Sequence, residues 1–354
     1  MTRLARSPPI AAALVAALLF GASTPIAKQL LRDTPPILLA GLLYLGSGIG
    51  LGLVRIMRDR GWRTPSMTRG EWVWYLLAIG FGGVLGPLAL MLGLSRTSAA
   101  SASLLLNLEV VLTALLAWIV FGENADRRIV LGMALIVAGA ALLGIQDGSH
   151  AAGIGWGVLL IAGACLCWAL DNNFARKVSA SDALFIAGIK GLVAGGVNVA
   201  IALALGAHLP ATPSIGMAMT VGLFGYGVSL VLFVLALRGL GSARTGAYFS
   251  TAPFMGAAIA ILAFGDPISL RFWLAVALMG AGVWLHLTER HEHLHTHEPI
   301  THTHRHVHDE HHQHAHDFDW DGREPHTHAH THAPLTHSHP HYPDIHHRHG
   351  HGCG

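Results

Sequence analysis

Residues 121–142 read FGENADRRIVLGMALIVAGAAL, and residues 264–285 read FGDPISLRFWLAVALMGAGVWL. Slid by 143 residues, the first lies on the second without a gap. Nine of the 22 positions are identical: Phe121, Gly122, Arg128, Leu131, Ala134, Leu135, Ala138, Gly139 and Leu142. Small apolar residues coincide often in such segments, but a Phe-Gly-acid triplet followed at a fixed distance by Arg does not. Upstream, FGASTPIAK (20–28) falls on WALDNNFAR (168–176) at a slightly different offset. The chain therefore carries one unit twice, over residues 1–145 and 146–290, and then a third segment, 291–354, of different composition.

Each unit is built for a bilayer. Of the 354 residues, 52% are apolar and only 12% are charged, too few charges to cover a soluble surface. Ten apolar segments reach the ~20 residues that a helix needs to cross hydrocarbon. They lie near 10–31, 36–55, 71–94, 98–121, 127–145, 154–175, 182–206, 214–237, 241–263 and 270–288. The first has too long an apolar core for a signal peptide and no small-residue cleavage pattern, so it is expected to be retained. Five spans per unit is an odd number, which inverts the second copy relative to the first. The three cysteines, Cys165, Cys167 and Cys353, form no disulfide framework. With the N-terminus in the cytoplasm, thirteen Arg and Lys residues fall in inner connections and four (Lys28, Arg32, Arg96, Arg271) in outer ones. That bias predicts cytoplasmic termini in a multi-pass inner-membrane protein.

No phosphate-binding G-x-x-x-x-G-K-[ST] loop, G-x-S-x-G elbow or H-E-x-x-H motif is present, so neither an ATP-driven pump nor an enzyme is expected. Phe-Gly-Glu closing the fourth span, with the Gly- and Ala-rich helix after it, carries a family likeness. Residues 10–288 resemble the drug/metabolite transporter superfamily, and within it the EamA-type branch. The second copy departs slightly, with Asp266 and Pro267 after Phe264 and Gly265. The resemblance implies an all-α membrane protein of ten transmembrane helices, arranged as two inverted five-helix repeats, that moves a solute without a required cofactor. Members of that family move amino acids, drugs, sugars or other metabolites, so it does not imply which solute. The expected partners are a small-molecule or ion substrate and the lipid bilayer, without nucleic acid; homodimerisation stays open.

Polar residues inside the spans nominate a site, because a charge at the bilayer centre costs at least ~2.5 kcal/mol. Glu109 lies at the middle of the fourth span with Asn107 half a turn away, and no basic residue lies at matching depth. Asp171, Asn172 and Trp168 lie in the sixth span and Lys190 in the seventh. Asp171 and Lys190 read equally well as a buried ion pair that fixes packing, with Asn107 and the Asn172–Asn173 pair bonding between helices. Pro253, whose neighbour Ala252 is equivalent to Glu109, interrupts the ninth span; Pro25 and Pro87 do likewise in the first and third. Tyr226, among Gly222, Gly225 and Gly227, is a candidate cavity residue.

The tail holds 23 of the chain's 26 histidines. In its first part these are His291, His293, His295, His297, His302, His304, His306, His308, His311, His312, His314 and His316. The remainder are His326, His328, His330, His332, His337, His339, His341, His346, His347, His349 and His351. With few aliphatic residues the tail is expected to be disordered without ligand. His-x-His in an extended chain suits a shared divalent transition metal such as Ni, Zn, Co or Cu. Asp317, Asp319 and Asp321 copy half of a calcium loop, but its twelfth position is His328, so assistance to the neighbouring histidines is the better reading. Three functions fit. The body exports a small metabolite and the tail regulates it by binding metal; or the metal is itself the cargo, collected by the tail for efflux; or the whole is a membrane-anchored metal buffer.

Overall fold

The computed structural model describes residues 7–61, 67–121, 127–145, 155–178, 182–288, 292–297, 300–306, 326–332 and 335–340. Among the described residues, thirteen α-helices make ten membrane-length spans, within a few residues of the apolar segments read from the sequence. The first two spans are α1 (Ser7–Leu30) and α2 (Pro36–Asp59). The third is α3 (Arg69–Ala78), a π-helical stretch (Ile79–Leu85) and α4 (Gly86–Leu94). The fourth is broken into α5 (Ala99–Leu105) and α6 (Leu108–Phe121). α7 (Arg127–Gly144), α8 (Trp156–Arg176) and α9 (Ala183–Ala204) are the fifth to seventh. The eighth runs from α10 (Thr212–Gly222) through a second π-helical stretch (Leu223–Val228) into α11 (Ser229–Phe249). Within α11 the rings of Phe233 and Phe249 lie 4.8 Å apart. A straight helix would separate residues so spaced by about 24 Å, so the chain turns back there into the ninth span, which ends in α12 (Ala252–Phe264). α13 (Leu270–Leu287) is the tenth.

The packing obeys the 143-residue offset. Gly48 and Gly191 are equivalents, and they meet where α2 crosses α9. A Cβ on Gly191 would lie 2.7 Å from the Gly48 Cα, and one on Gly48 would lie 2.4 Å from the Leu192 nitrogen. Between α7 and α13, a Cβ on Gly132 would meet the Gly282 carbonyl at 2.8 Å; the pair related by the offset, Gly139 and Ala275, approaches to 3.1 Å. Likewise α1 packs on α11 and α12 as α8 packs on α4 and α6. This is a pseudo-two-fold axis in the bundle, and small residues let backbones touch across it.

The two ends of the bundle differ. At the end away from the termini, Lys28 Nζ donates to the Leu94 carbonyl (2.6 Å) and the Asp266 carboxylate accepts from the Ala100 N–H (2.8 Å). The large apolar cluster, including Leu38, Leu43, Leu90, Leu94, Leu104 and Ile161, fills that half. Near the termini a smaller cluster of Tyr75, Ile79, Val178, Phe185 and Ala194 joins the third, sixth and seventh spans. Beside it Arg58 bridges Asp59 (2.6 Å) and Asp182 (2.7 Å), and the Arg55 guanidinium lies 4.9 Å over the Phe185 ring.

In the tail, where composition predicts disorder, four segments are extended: β1 (Glu292–His297), β2 (Ile300–His306), β3 (His326–His332) and β4 (Leu335–Pro340). β1 pairs with β4 and β2 with β3, both antiparallel. Backbone pairing needs no apolar core, and Thr at alternate positions favours it, although a lone two-stranded ribbon is marginal in water. His291, His308, His311, His312, His314, His316, His341, His346, His347, His349, His351, Cys353 and the calcium-loop mimic lie outside the described residues.

Gly48→Ala is expected to lower stability in detergent by about 1–3 kcal/mol, since backbone on both sides must move. Gly52, whose Cβ would meet nothing within 4 Å, serves as control: Gly52→Ala should leave the thermal midpoint unchanged or raise it. Equal loss in both variants would contradict the two-fold contact.

Candidate substrate site

The four interrupted spans converge on one region. The fourth span breaks at Leu106–Asn107 and the ninth at Ser250–Thr251, places that correspond to within one residue in the two repeats. The π-helical stretches of the third and eighth spans are also equivalents, with Gly82 falling on Gly225. A π-turn widens the helix and turns carbonyls outward, and such turns recur at functional sites. In hydrocarbon those carbonyls need donors. Tyr44 Oη and Trp168 Nε1 both donate to the Gly82 carbonyl, each at 3.0 Å, using its two lone pairs. At the ninth-span break the hydroxyls of Ser250 and Thr251 donate to the Ala247 (2.8 Å) and Tyr248 (2.6 Å) carbonyls. At the fourth-span break the Cys165 thiol lies 3.7 Å from the Leu105 carbonyl.

Glu109 stands in the first turn of α6, where the helix dipole favours negative charge. It is half-buried, and its Oε1 accepts from Asn172 Nδ2 at 2.9 Å. Among the described residues it forms no ion pair. Asp171, one residue before Asn172, is buried against Gly82 and paired with Lys190. The sequence-derived ion pair is thus formed, and it holds α8 to α9. Both Glu109 and Asp171 lie within electrostatic range of Tyr44. The Tyr44 ring sits 5.6 Å from that of Tyr226, which meets the Phe20 ring edge-on at 6.0 Å. Tyr44, Tyr226, Phe20 and Glu109 are all half-buried, and Asn172 is exposed. Carboxylate, amide and aromatic side chains of the first, second, fourth, sixth and eighth spans are therefore gathered in one region.

A model of the EamA-like transporter family matches the chain twice, over residues 7–145 and 155–288. The chain belongs to that family. It is similar to an uncharacterized transporter of Methanothermobacter thermautotrophicus, 29% identical over 289 residues, covering 77% of this chain and 84% of that one. A probable 4-amino-4-deoxy-L-arabinose-phosphoundecaprenol flippase subunit ArnE from Pseudomonas aeruginosa is 41% identical over 114 residues, covering 30% of this chain and 94% of its own. Escherichia coli K12 has a relative 23% identical over 255 residues (69% of this chain and 79% of that one), the uncharacterized inner membrane transporter YedA. A solved crystal structure resembles the fold at TM-score 0.57 and 20% identity, covering 78% of this chain and 95% of that one. This EamA-like chain is a multi-pass membrane transporter.

Of the residues named from the sequence, Glu109 and Asn172 meet, as do Asp171 and Lys190; Trp168 joins the third span, and Tyr226 the aromatic group. Pro253 sits at the start of α12, where a missing N–H costs nothing. Asn107 does not bond between helices: its Nδ2 donates to Leu104, three residues back. Asn173 likewise bonds within its own helix, to Ala169. Tyr44, Phe20 and Gly82 were not legible as site residues. Gly82 had a signal, since Phe81-Gly82 in GFGGVLG (80–86) falls on Phe224-Gly225 in LFGYGVS (223–229) at the 143-residue offset.

Tyr44→Phe or Trp168→Phe alone leaves Gly82 one donor and should cost roughly 1 kcal/mol. Together they leave a carbonyl unpaired, so the double variant should lose more than the sum. Strict additivity in thermal unfolding would contradict the shared-acceptor geometry.

Proposed function

We propose that this chain is a secondary transporter that exports a small organic solute, with cytoplasmic termini and a metal-binding tail that regulates it. The observation that carries the reading is the pair of helix breaks at equivalent depth, with Glu109 at the start of one half-helix and held by an amide rather than a cation. Broken helices at matching places of two repeats are how secondary transporters build a central site. A carboxyl group at such a place takes up and releases a proton as the cavity opens to water or closes on substrate, which couples transport to a proton gradient. The large apolar cluster fills the half of the bundle away from the termini and Asn172 is exposed nearer to them, which favours loading from the terminus side. Rocking the two repeats about the Gly48–Gly191 and Gly132–Gly282 contacts would close that half and open the other.

In the tail, imidazoles at alternate positions of extended strands suit divalent Ni, Zn, Co or Cu. Among the described residues of the membrane body, no three His, Cys, Asp or Glu side chains converge on one point. That favours metal as regulator over metal as cargo, and the interrupted helices favour transport over a passive metal buffer.

Glu109→Gln keeps the hydrogen-bonding shape and removes the exchangeable proton. It should insert and fold normally while losing gradient-driven transport in vesicles. Normal transport between about pH 5.5 and 8 would make Glu109 a packing residue. Removing residues 291–354 should leave transport intact and abolish its response to added metal; if transport of metal itself falls instead, the cargo reading wins.

A further inference from the structure

A cleft of about 180 Å³ opens between α2, α9 and α11, and it shares no residue with the candidate site. Its walls are aliphatic, with Leu51, Ala187 and Leu230 deeper in the membrane and Leu235 nearer the end that bears the termini. Arg58 and Asp182 stand at its mouth. Leu51 and Arg58 are seven residues apart on α2, about 10 Å along its axis. The cleft therefore runs from a charged end of the bundle into its apolar length. The surface around it is apolar and exposed, with Val54 and Met57 on α2 and Leu230 and Leu235 on α11. On a membrane-spanning helix such a face meets acyl chains rather than water.

The mouth has hydrogen-bond donors to spare. Arg58 forks onto Asp59 through Nε (2.6 Å) and Nη2 (3.2 Å), and Nη2 also donates to Asp182 (2.7 Å). The two N–H groups of its Nη1 have no acceptor among the described residues, and the side chain is 45% exposed. Asp182 is engaged already as the cap of α9, accepting from the Phe185 N–H at 2.8 Å. At this end Arg55, Arg58 and Arg60 outnumber Asp59 and Asp182, which leaves a net positive charge. A guanidinium with free N–H groups suits a phosphate oxygen, and Arg58 lies in the last turn of its span, where the bilayer carries its phosphates. The volume is below the ~300 Å³ of pockets that enclose drug-sized solutes, but a slot open along its length suits part of one acyl chain.

We propose that this cleft holds one anionic phospholipid of the leaflet facing the termini. Its phosphate accepts from Arg58, and the first part of one acyl chain lies between α2, α9 and α11. Gly48 stands one turn from Leu51, and Gly191 one turn from Ala187. The chain therefore ends beside the place where the two repeats touch. The lipid joins α2 of the first repeat to α9 and α11 of the second, so its occupancy acts on that contact directly.

The test uses the full-length protein, delipidated in detergent and titrated with phosphatidylglycerol or with phosphatidylcholine of the same chains. Bound lipid is counted by native mass spectrometry, a readout independent of transport. One phosphatidylglycerol per chain should be retained under conditions that strip phosphatidylcholine. Arg58→Gln removes the donor and Ala187→Phe fills the slot, and each should lower retention several-fold. Val234→Phe fills the same cleft from α11 and should do likewise, which keeps the test decisive if Ala187→Phe does not fold. Arg244→Gln, which removes an exposed charge outside the cleft, should change nothing. Equal loss from Arg58→Gln and Arg244→Gln would reduce the effect to bulk charge and overturn the site. Equal retention of the two lipids would overturn the phosphate assignment. Displacement of the lipid by millimolar inorganic phosphate would make this a site for soluble phosphate and overturn the lipid; no retained lipid at all would remove the proposal.

Discussion

Hydrocarbon offers no hydrogen bonds, so a backbone carbonyl left without a donor inside the membrane costs several kcal/mol. This transporter interrupts its helices at four places, and each interruption had to be satisfied from within the protein. Tyr44 and Trp168 answer for Gly82, Ser250 and Thr251 for the ninth span, and Cys165 for the fourth. Tyr44, Trp168 and Cys165 come from spans 2 and 6, so satisfying the third- and fourth-span breaks also ties spans together around them. Ser250 and Thr251, by contrast, satisfy their own segment. The same side chains that keep irregular backbone tolerable thereby fix the outline of the candidate site.

The repeat explains why the interruptions occur in pairs. The Phe-Gly-acid triplet that reveals the duplication has a structural job in its second copy. Gly265 adopts a left-handed φ of 68°, ending α12, and Asp266 then reaches the Ala100 N–H at the start of α5. A carboxylate there caps a helix whose first donors have no intrahelical partner. Residues 122–126 of the first copy lie outside the described residues.

Much of the fold was legible because it is written in local, periodic signals. Ten apolar runs, their spacing and the 143-residue offset require only composition and alignment of the chain with itself. The Asp171–Lys190 pair was legible because two opposite charges in neighbouring spans at similar depth have few other places to go. Tyr44 was not, since an aromatic residue in an apolar span looks like core until the π-helical carbonyl it serves is in view. Asn107 misled for the converse reason: an amide can satisfy its own helix three residues back, and the sequence does not distinguish that from a bond to a neighbour. In the tail, composition speaks of a missing core but not of backbone register, which depends on the pairing of segments more than thirty residues apart.

The central claim is that two inverted repeats pivot about glycine contacts to expose one site to alternate sides. Its most direct measurement is thiol labelling in sealed vesicles, in a chain whose native cysteines have been replaced. Asn172→Cys, at the exposed edge of the site, and Leu94→Cys, in the packed far half, are labelled with a membrane-impermeant reagent from one side at a time. At rest, Asn172→Cys should react only from the side bearing the termini, and Leu94→Cys from neither. During turnover the first should become protected and the second reactive from the opposite side. Labelling of Asn172→Cys equally from both sides, or unchanged patterns during turnover, would contradict the account.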